Sequence, residues 1–247
     1  MVDVFDHVTI RVADRPASHR FYETVLIPLG IEITYDLREF AEWRDFSIAG
    51  ADEAHPPTQR LHVAFAAPTR EQVDAFWAEG TAAGYADDGR PGERPQYRDD
   101  YYGAFLRDPD GNSVEAVHHG ALRRDGVVDH LWLRVSDLAA STAFYRSLAP
   151  ETGYVVRHAG ADRATFAAAG EGGGSLSIVP GTASREVHMA FAGDDDQVRR
   201  FHEQAVRDGH RSHGAPGERP QYHPGYYAAY VLDPDGNNIE LVNHHRA

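Results

Sequence analysis

Four short stretches of the chain alternate apolar and polar residues with a period of two, and each carries a histidine on its polar side. In Phe5-Asp6-His7-Val8-Thr9-Ile10-Arg11-Val12, the alternation predicts a strand with Val8, Ile10 and Val12 on one face and His7, Thr9 and Arg11 on the other. Val128-Asp129-His130-Leu131-Trp132-Leu133-Arg134-Val135 divides in the same way, with His130, Trp132 and Arg134 opposite Leu131, Leu133 and Val135. Leu61-His62-Val63-Ala64-Phe65 and Val187-His188-Met189-Ala190-Phe191 form a second pair. One face of each strand calls for a core and the other for water or a ligand.

Helical periodicity follows each histidine strand. Asp14 and Asp137 stand where N-caps belong, ahead of Phe21-Tyr22 and Phe144-Tyr145 on the expected buried stripe. Helices are predicted over 69–83 and 194–208, with Val73/Phe76 and Val198/Phe201 at i, i+3 and with Gly84 and Gly209 just past their ends. Alternation and Gly/Pro punctuation predict further strands around 31–36, 39–48, 154–158, 163–168 and 175–179. The tract Glu171-Gly172-Gly173-Gly174 precedes no helix, so it reads as a loose hairpin connection and no nucleotide cofactor is expected.

The order of elements repeats because the sequence repeats. Gly92-Glu93-Arg94-Pro95-Gln96-Tyr97, Tyr101-Tyr102, Asp108-Pro109-Asp110-Gly111-Asn112 and Glu115 recur 125 residues later as Gly217 to Tyr222, Tyr226-Tyr227, Asp233 to Asn237 and Glu240. Between 92–119 and 217–244, 17 of 28 positions match, whereas the middles of the two halves have diverged. Two domains, 1–122 and 123–247, are the expected organisation. Asp-Pro-Asp-Gly suits a type I turn joining two strands, and alternation in the outgoing strand puts Glu115 and Glu240 on the same side as the histidines.

Charge and composition narrow the partners. With 38 acidic and 24 basic side chains the formal charge is −14, which repels nucleic acid and anionic membrane. There is no cysteine, which excludes disulfides and thiolate chemistry. No signal pattern opens Met1-Val2-Asp3-Val4, and no apolar run approaches the roughly 18 residues of a membrane span, so a cytoplasmic protein acting on a small molecule is expected.

Each half offers two imidazoles and one carboxylate from three separate strands: His7, His62 and Glu115, then His130, His188 and Glu240. That donor set suits one divalent metal per site, Fe(II), Zn, Ni or Mn. A lone strand histidine is usually structural, but the same three positions kept in two diverged halves point to ligands.

Asp-His-Val near a start, His-Val-Ala-Phe midway and Tyr-Tyr…Asp-Pro-Asp-Gly-Asn…Glu at an end resemble the vicinal oxygen chelate superfamily, also called glyoxalase/bleomycin resistance/dioxygenase, over nearly the whole chain. The resemblance implies an α+β fold of four βαβββ units, used in pairs, each pair curling into a U-shaped cleft around a divalent metal. It implies a substrate bound through two neighbouring oxygens. Sites built within a half would group His7 with His62 and Glu115; exchanged units would group His7 with His188 and Glu240, and both arrangements remain open from sequence. A fused pair of this kind is expected to be a monomer or weak homodimer.

Glyoxalase-type relatives add a fourth ligand, a glutamate on the last strand of the first unit. Neither Asp45-Phe46-Ser47-Ile48 nor Ser175-Leu176-Ser177-Ile178 carries one, so an extradiol-dioxygenase-like activity is favoured over a lyase, and both over metal-free drug binding. Tyr230, ten residues before Glu240, and His223, which replaces Arg98, are candidate catalytic groups. Arg11 and Arg134 are candidates for gripping a substrate carboxylate, and Arg94, Tyr97, Tyr101 and Tyr102 with their copies Arg219, Tyr222, Tyr226 and Tyr227 for the lid or wall of the pocket, Tyr102 and Tyr227 foremost.

Overall fold

The computed structural model describes residues 5–123, 125–169 and 174–245. The opening residues 1–4 and the expected connection at 171–173 lie outside them. The first unit comprises β1 (His7–Val12), α1 (Arg15–Leu26), β2 (Tyr35–Asp36), β3 (Phe40–Trp43) and β4 (Phe46–Gly50). The second comprises β5 (Leu61–Ala66), α2 (Arg70–Ala82), β6 (Asp87–Glu93), β7 (Tyr102–Arg107) and β8 (Ser113–His118). The third comprises β9 (Val128–Val135), α3 (Leu138–Thr152), β10 (Tyr154–Ala159), β11 (Ala164–Ala168) and β12 (Ser175–Pro180). The fourth comprises β13 (Val187–Ala192), α4 (Asp195–Arg207), β14 (Arg211–Glu218), β15 (Tyr227–Leu232) and β16 (Asn238–Asn243).

Each unit is βαβββ, with its first strand parallel to its last and the other pairings antiparallel. The units then pair across the sequence repeat. One mixed sheet runs β14-β15-β16-β13-β1-β4-β3-β2 and the other β10-β11-β12-β9-β5-β8-β7-β6. The first unit therefore meets the fourth through antiparallel β1 and β13, and the second meets the third through β5 and β9. The exchanged arrangement is the one present. The helices pair within each half instead, α1 with α2 and α3 with α4, and a single apolar core runs between the sheets and helices. Phe21, Tyr22, Phe46, Phe65, Phe144 and Phe166 are fully buried there, each worth roughly 1.5–3 kcal/mol.

Local chemistry fixes the elements. Asp14 and Asp137 cap α1 and α3 by accepting from Ala17 N and Ala140 N, both at 2.9 Å. Thr69 with Gln72 and Asp194 with Gln197 form capping boxes on α2 and α4. Two expectations change. Residues 39–48 are a hairpin rather than one strand, because Arg44 adopts φ 60° and turns the chain. Residues 31–36 shorten to Tyr35–Asp36. The edge strands β6 and β14 carried no alternation signal: their Gly and Pro residues pair irregularly with β7 and β15, which only a sheet edge tolerates.

The repeated Asp-Pro-Asp-Gly-Asn is a pin as well as a turn. Asp108 accepts from Asp110 N, Asn112 N, Asn112 Nδ2 and the Tyr22 hydroxyl of α1, while Asn112 accepts from Leu61 N and donates to Thr58 O. Asp233, Asn237 and Tyr145 repeat these bonds in the other half. Between the halves, Arg123 is buried and bonds to Asp45, Phe5 O and Val128 O.

Candidate metal centres

Alternation along the central strands aims the six expected ligands into two clefts, and exchange decides how they group. His7 of β1, His188 of β13 and Glu240 of β16 meet on the first sheet; His62 of β5, Glu115 of β8 and His130 of β9 meet on the second. In the first set, His7 Nε2 lies 3.1 Å from His188 Nε2 and 3.6 Å from Glu240 Oε2, and His188 Nε2 lies 3.0 Å from the same oxygen. In the second, Glu115 Oε2 is 3.0 Å from His62 Nε2 and 3.4 Å from His130 Nε2. Donors bonded at about 2.1 Å to one ion stand about 3.0 Å apart at octahedral angles and about 3.4 Å apart at tetrahedral ones, so the spacing fits a shared cation.

The neighbours orient these atoms toward one another. His7 Nδ1 donates to Asp6 at 2.8 Å and His130 Nδ1 to Asp129 at 2.9 Å, leaving each Nε2 toward the centre. His62 Nδ1 lies 3.1 Å from Ser113 Oγ, which donates to Asp88. His188 Nδ1 lies 2.9 Å from Asn238 Nδ2, and Asn238 Oδ1 is buried without a partner. Turning that amide over lets the oxygen accept from Nδ1–H and frees the Nε2 lone pair. The Tyr101 and Tyr226 hydroxyls donate to Glu115 Oε1 at 2.7 Å and Glu240 Oε1 at 2.6 Å, which leaves Oε2 of each glutamate facing the histidines.

Charge follows the same design. Burial works against an ionised Glu115, but hydrogen bonds from His130 and His62 outweigh it and hold its pKa below the ordinary value. Glu240 is lowered likewise, burial being outweighed by the His188 hydrogen bond and the charge of His7. Burial also works against a charged His130, yet its bonds to Asp129 and Glu115 push it up to about 9 without a cation. Burial lowers His188. Burial and the adjacent glutamate push Tyr101 and Tyr226 upward, so both remain protonated donors.

The remaining candidates divide. Tyr230 pairs with Glu240 across β15 and β16, faces the first cleft, and buries its hydroxyl beside that glutamate; Phe105 takes the matching place beside Glu115. Arg11 donates to Gly50 O at 3.1 Å on the first cleft's side, and Arg134 lines the second cleft. His223 is set back. Its Nε2 meets His244 Nδ1 at 2.9 Å, and His244 Nε2 meets Asp6 at 2.9 Å, so two residues separate it from His7. Tyr102 and Tyr227 do not line a cleft: alternation turns them to the helix side, where Tyr102 donates to Asp74 of α2 and Tyr227 lies beneath Arg199 of α4. Tyr101 and Tyr226 hold the cleft places one residue earlier.

Sequence reasoning offered those two tyrosines only as part of a wall and missed their bonds to the glutamates; it also missed the carboxylates Asp6 and Asp129, and Glu42 of β3. The doubled Asp-His at 6–7 and 129–130 was the available signal for the aspartates. Glu42 stands opposite Ser47 across β3 and β4, and its charge helps to raise His7, whose pKa burial would lower and Asp6 raises. A cavity of about 660 Å³ opens over the second triad, bordered by Trp132, Arg134 and Arg163 among others.

The model of the Glyoxalase/Bleomycin resistance protein/Dioxygenase superfamily matches residues 4–116 and 127–241. The chain belongs to that superfamily. Among solved structures, glyoxalase I from Zea mays is similar over 97% of this chain and 92% of its own, at 18% identity and a TM-score of 0.66. A protein of Bacillus subtilis subsp. subtilis str. 168, described only as a candidate dioxygenase, is similar over 98% of this chain and 86% of its own, at 13% identity and a TM-score of 0.66. At such identities these likenesses speak for the superfamily's fold alone. No curated protein matches the sequence. Among the described residues, no helix is long and apolar enough to cross a membrane.

Proposed function

We propose that this superfamily member is an enzyme holding one divalent metal in each cleft and acting on a small substrate through two neighbouring oxygens. The observation that carries the reading is the convergence of three donor atoms on each sheet, all within 4.8 Å of one another. His7, His188 and Glu240 would hold one ion and His62, His130 and Glu115 the other; when bound, such an ion acts as a Lewis acid and as a template for the paired oxygens. The protein does the rest. Asp6 and Asp129 keep the imidazoles turned inward, and Tyr101 and Tyr226 keep the carboxylates in place.

Extradiol-dioxygenase-like chemistry is the favoured form, since Ser47 and Ser177 stand where a fourth carboxylate would, and three ligands leave positions free. Tyr230 is assigned as a hydrogen-bond donor to substrate in the first cleft, on the strength of its hydroxyl lying on the cleft face beside Glu240. His223, at the outer end of its hydrogen-bonded chain, is assigned to positioning His244 and Asp6. Glu42 favours a second reading for the first cleft alone, a lyase or isomerase in which a carboxylate moves a proton. Metal-free drug binding is the rival from outside enzymology. A monomer or weak homodimer in solution, free of nucleic acid, completes the proposal.

Metal analysis tests the core of it. His7→Ala with Glu240→Gln is expected to lose one equivalent, and His7→Ala with His62→Ala to lose two. Protein prepared without chelator that holds no stoichiometric metal sinks the enzyme reading and favours sequestration. Oxygen uptake with catechols after Fe(II) or Mn(II) loading supports the dioxygenase form, whereas isomerisation of hemithioacetals with Ni(II) or Zn(II) supports the lyase.

A further inference from the structure

The two clefts have diverged in charge. On the second sheet His130, Trp132 and Arg134 follow one another along the cleft face of β9, about 7 Å per step. The Arg163 guanidinium stands over the Trp132 ring, 5.6 Å from its centre, and Arg163 Nε is buried with no hydrogen-bond partner. Among the described residues neither Arg134 nor Arg163 forms an ion pair, whereas Arg98 and Arg107 at the same cavity are paired with Asp100 and Asp88. The carboxylates at this cavity, Glu115 and Asp129, are both engaged by histidines. In a chain with a formal charge of −14, this is a concave surface with uncompensated positive charge. The register makes the contrast with the other sheet direct: β11 opposite β12 corresponds to β3 opposite β4, so Phe40 and Glu42 stand where Arg163 and Thr165 do.

We propose that the second cleft recognises a carboxylate carried on a flat apolar body, with the body along Trp132 and the carboxylate on Arg163 and Arg134. A carboxylate fits better than a tetrahedral anion, because a guanidinium stacked on an indole presents its donors in a plane. The proposal deepens the metal-site reading and rests on it for the role of the opposite end of the ligand. The paired oxygens would sit at the triad and the acid about one to two steps along β9, roughly 7–13 Å away. The first cleft, with Phe40 in the place of Arg163 and Glu42 in that of Thr165, would not share the preference.

The test uses ligands that cannot chelate, so that it is independent of metal. The full chain, treated with chelator, is titrated calorimetrically with naphthalene-2-carboxylate and with neutral 2-naphthamide. The acid is expected to bind about tenfold more tightly, as for a charge-assisted pair in a partly dry site. Arg163→Gln and Arg134→Gln should each reduce that ratio to about threefold or less, while Arg200→Gln, on the helix side where it pairs with Glu151, leaves it unchanged. Equal binding of the two probes overturns the proposal, as does a preference that survives the double Arg134→Gln, Arg163→Gln variant. So does tighter binding of 2-naphthyl phosphate than of the acid, or no acid binding up to about 10 mM. Metal content measured on the protein before chelator treatment answers separately for the metal reading: an intact acid preference in a chain that carried no stoichiometric metal as purified would sink that reading alone.

Discussion

At the scale of single residues, the members of the two His-His-Glu clusters were legible and their supports were not. Strand alternation is a strong constraint, and it put all six metal-competent side chains on the correct face. The same rule, counted back from Phe105 in steps of two, reaches Gly103 and Tyr101 and leaves Tyr102 with Ala104 and Leu106 on the core side. Choosing Tyr102 was a phase error of one residue. Asp129 and Tyr101 are expected to matter through the ligands they hold. Asp129→Asn should weaken retention of the second-sheet ion by about 10–100-fold in competition with a chromophoric chelator, with the first-sheet ion unaffected. Tyr101→Phe should act in the same direction, because Glu115 Oε1 loses its donor. An unchanged affinity in both variants would mean that the triad needs no outer support.

Elements show why the repeated phrase stands out in the sequence. Asp108 and Asn112 tie the β7–β8 turn to the start of β5 and to Tyr22 of α1, so one pentapeptide fixes a hairpin, a strand and a helix together. The turn was readable from Asp-Pro-Asp-Gly, but the pin was not, since its partners Leu61, Thr58 and Tyr22 are distant in sequence. Asn112→Ala is expected to lower the unfolding free energy by about 2–4 kcal/mol, read by denaturant midpoint, as several buried backbone groups lose their partners. Arg123→Ala should cost about 3–5 kcal/mol, because Asp45 would be left charged and buried without its partner. Burial already raises the pKa of Asp45, with Arg123 opposing. A loss below about 1 kcal/mol for Arg123→Ala would show that the segment between the halves tolerates release.

On the scale of the whole molecule, periodicity and the repeat predicted four units and the family resemblance implied their fold, but neither predicted their partnership. Both pairings satisfy the same strand patterns; what chooses between them is packing across the chain, which no local signal encodes. Each half contributes one strand border to each sheet, so residues 1–122 on their own have two unsatisfied borders, β1 and β5. We expect that half, made separately, to form a homodimer in which β1 of one copy borders β5 of the other, seen as a doubled mass in light scattering. A stable monomer with intact strand content would contradict it. Fusion has a consequence that no homodimer enjoys: the two clefts answer to different codons, and Arg163 in the place that Phe40 holds on the other sheet, or Thr165 in that of Glu42, is what that freedom has produced.

The pairing of first unit with fourth and second with third nests one sheet inside the other along the chain. Residues 61–180 hold every strand of the inner sheet, while the outer one must wait for residue 243. During synthesis the His62–Glu115–His130 cleft is thus complete in the nascent chain before the strand bearing His188 exists. Until the last unit emerges, β1 waits with an open edge, exposed to whatever other strand it meets first.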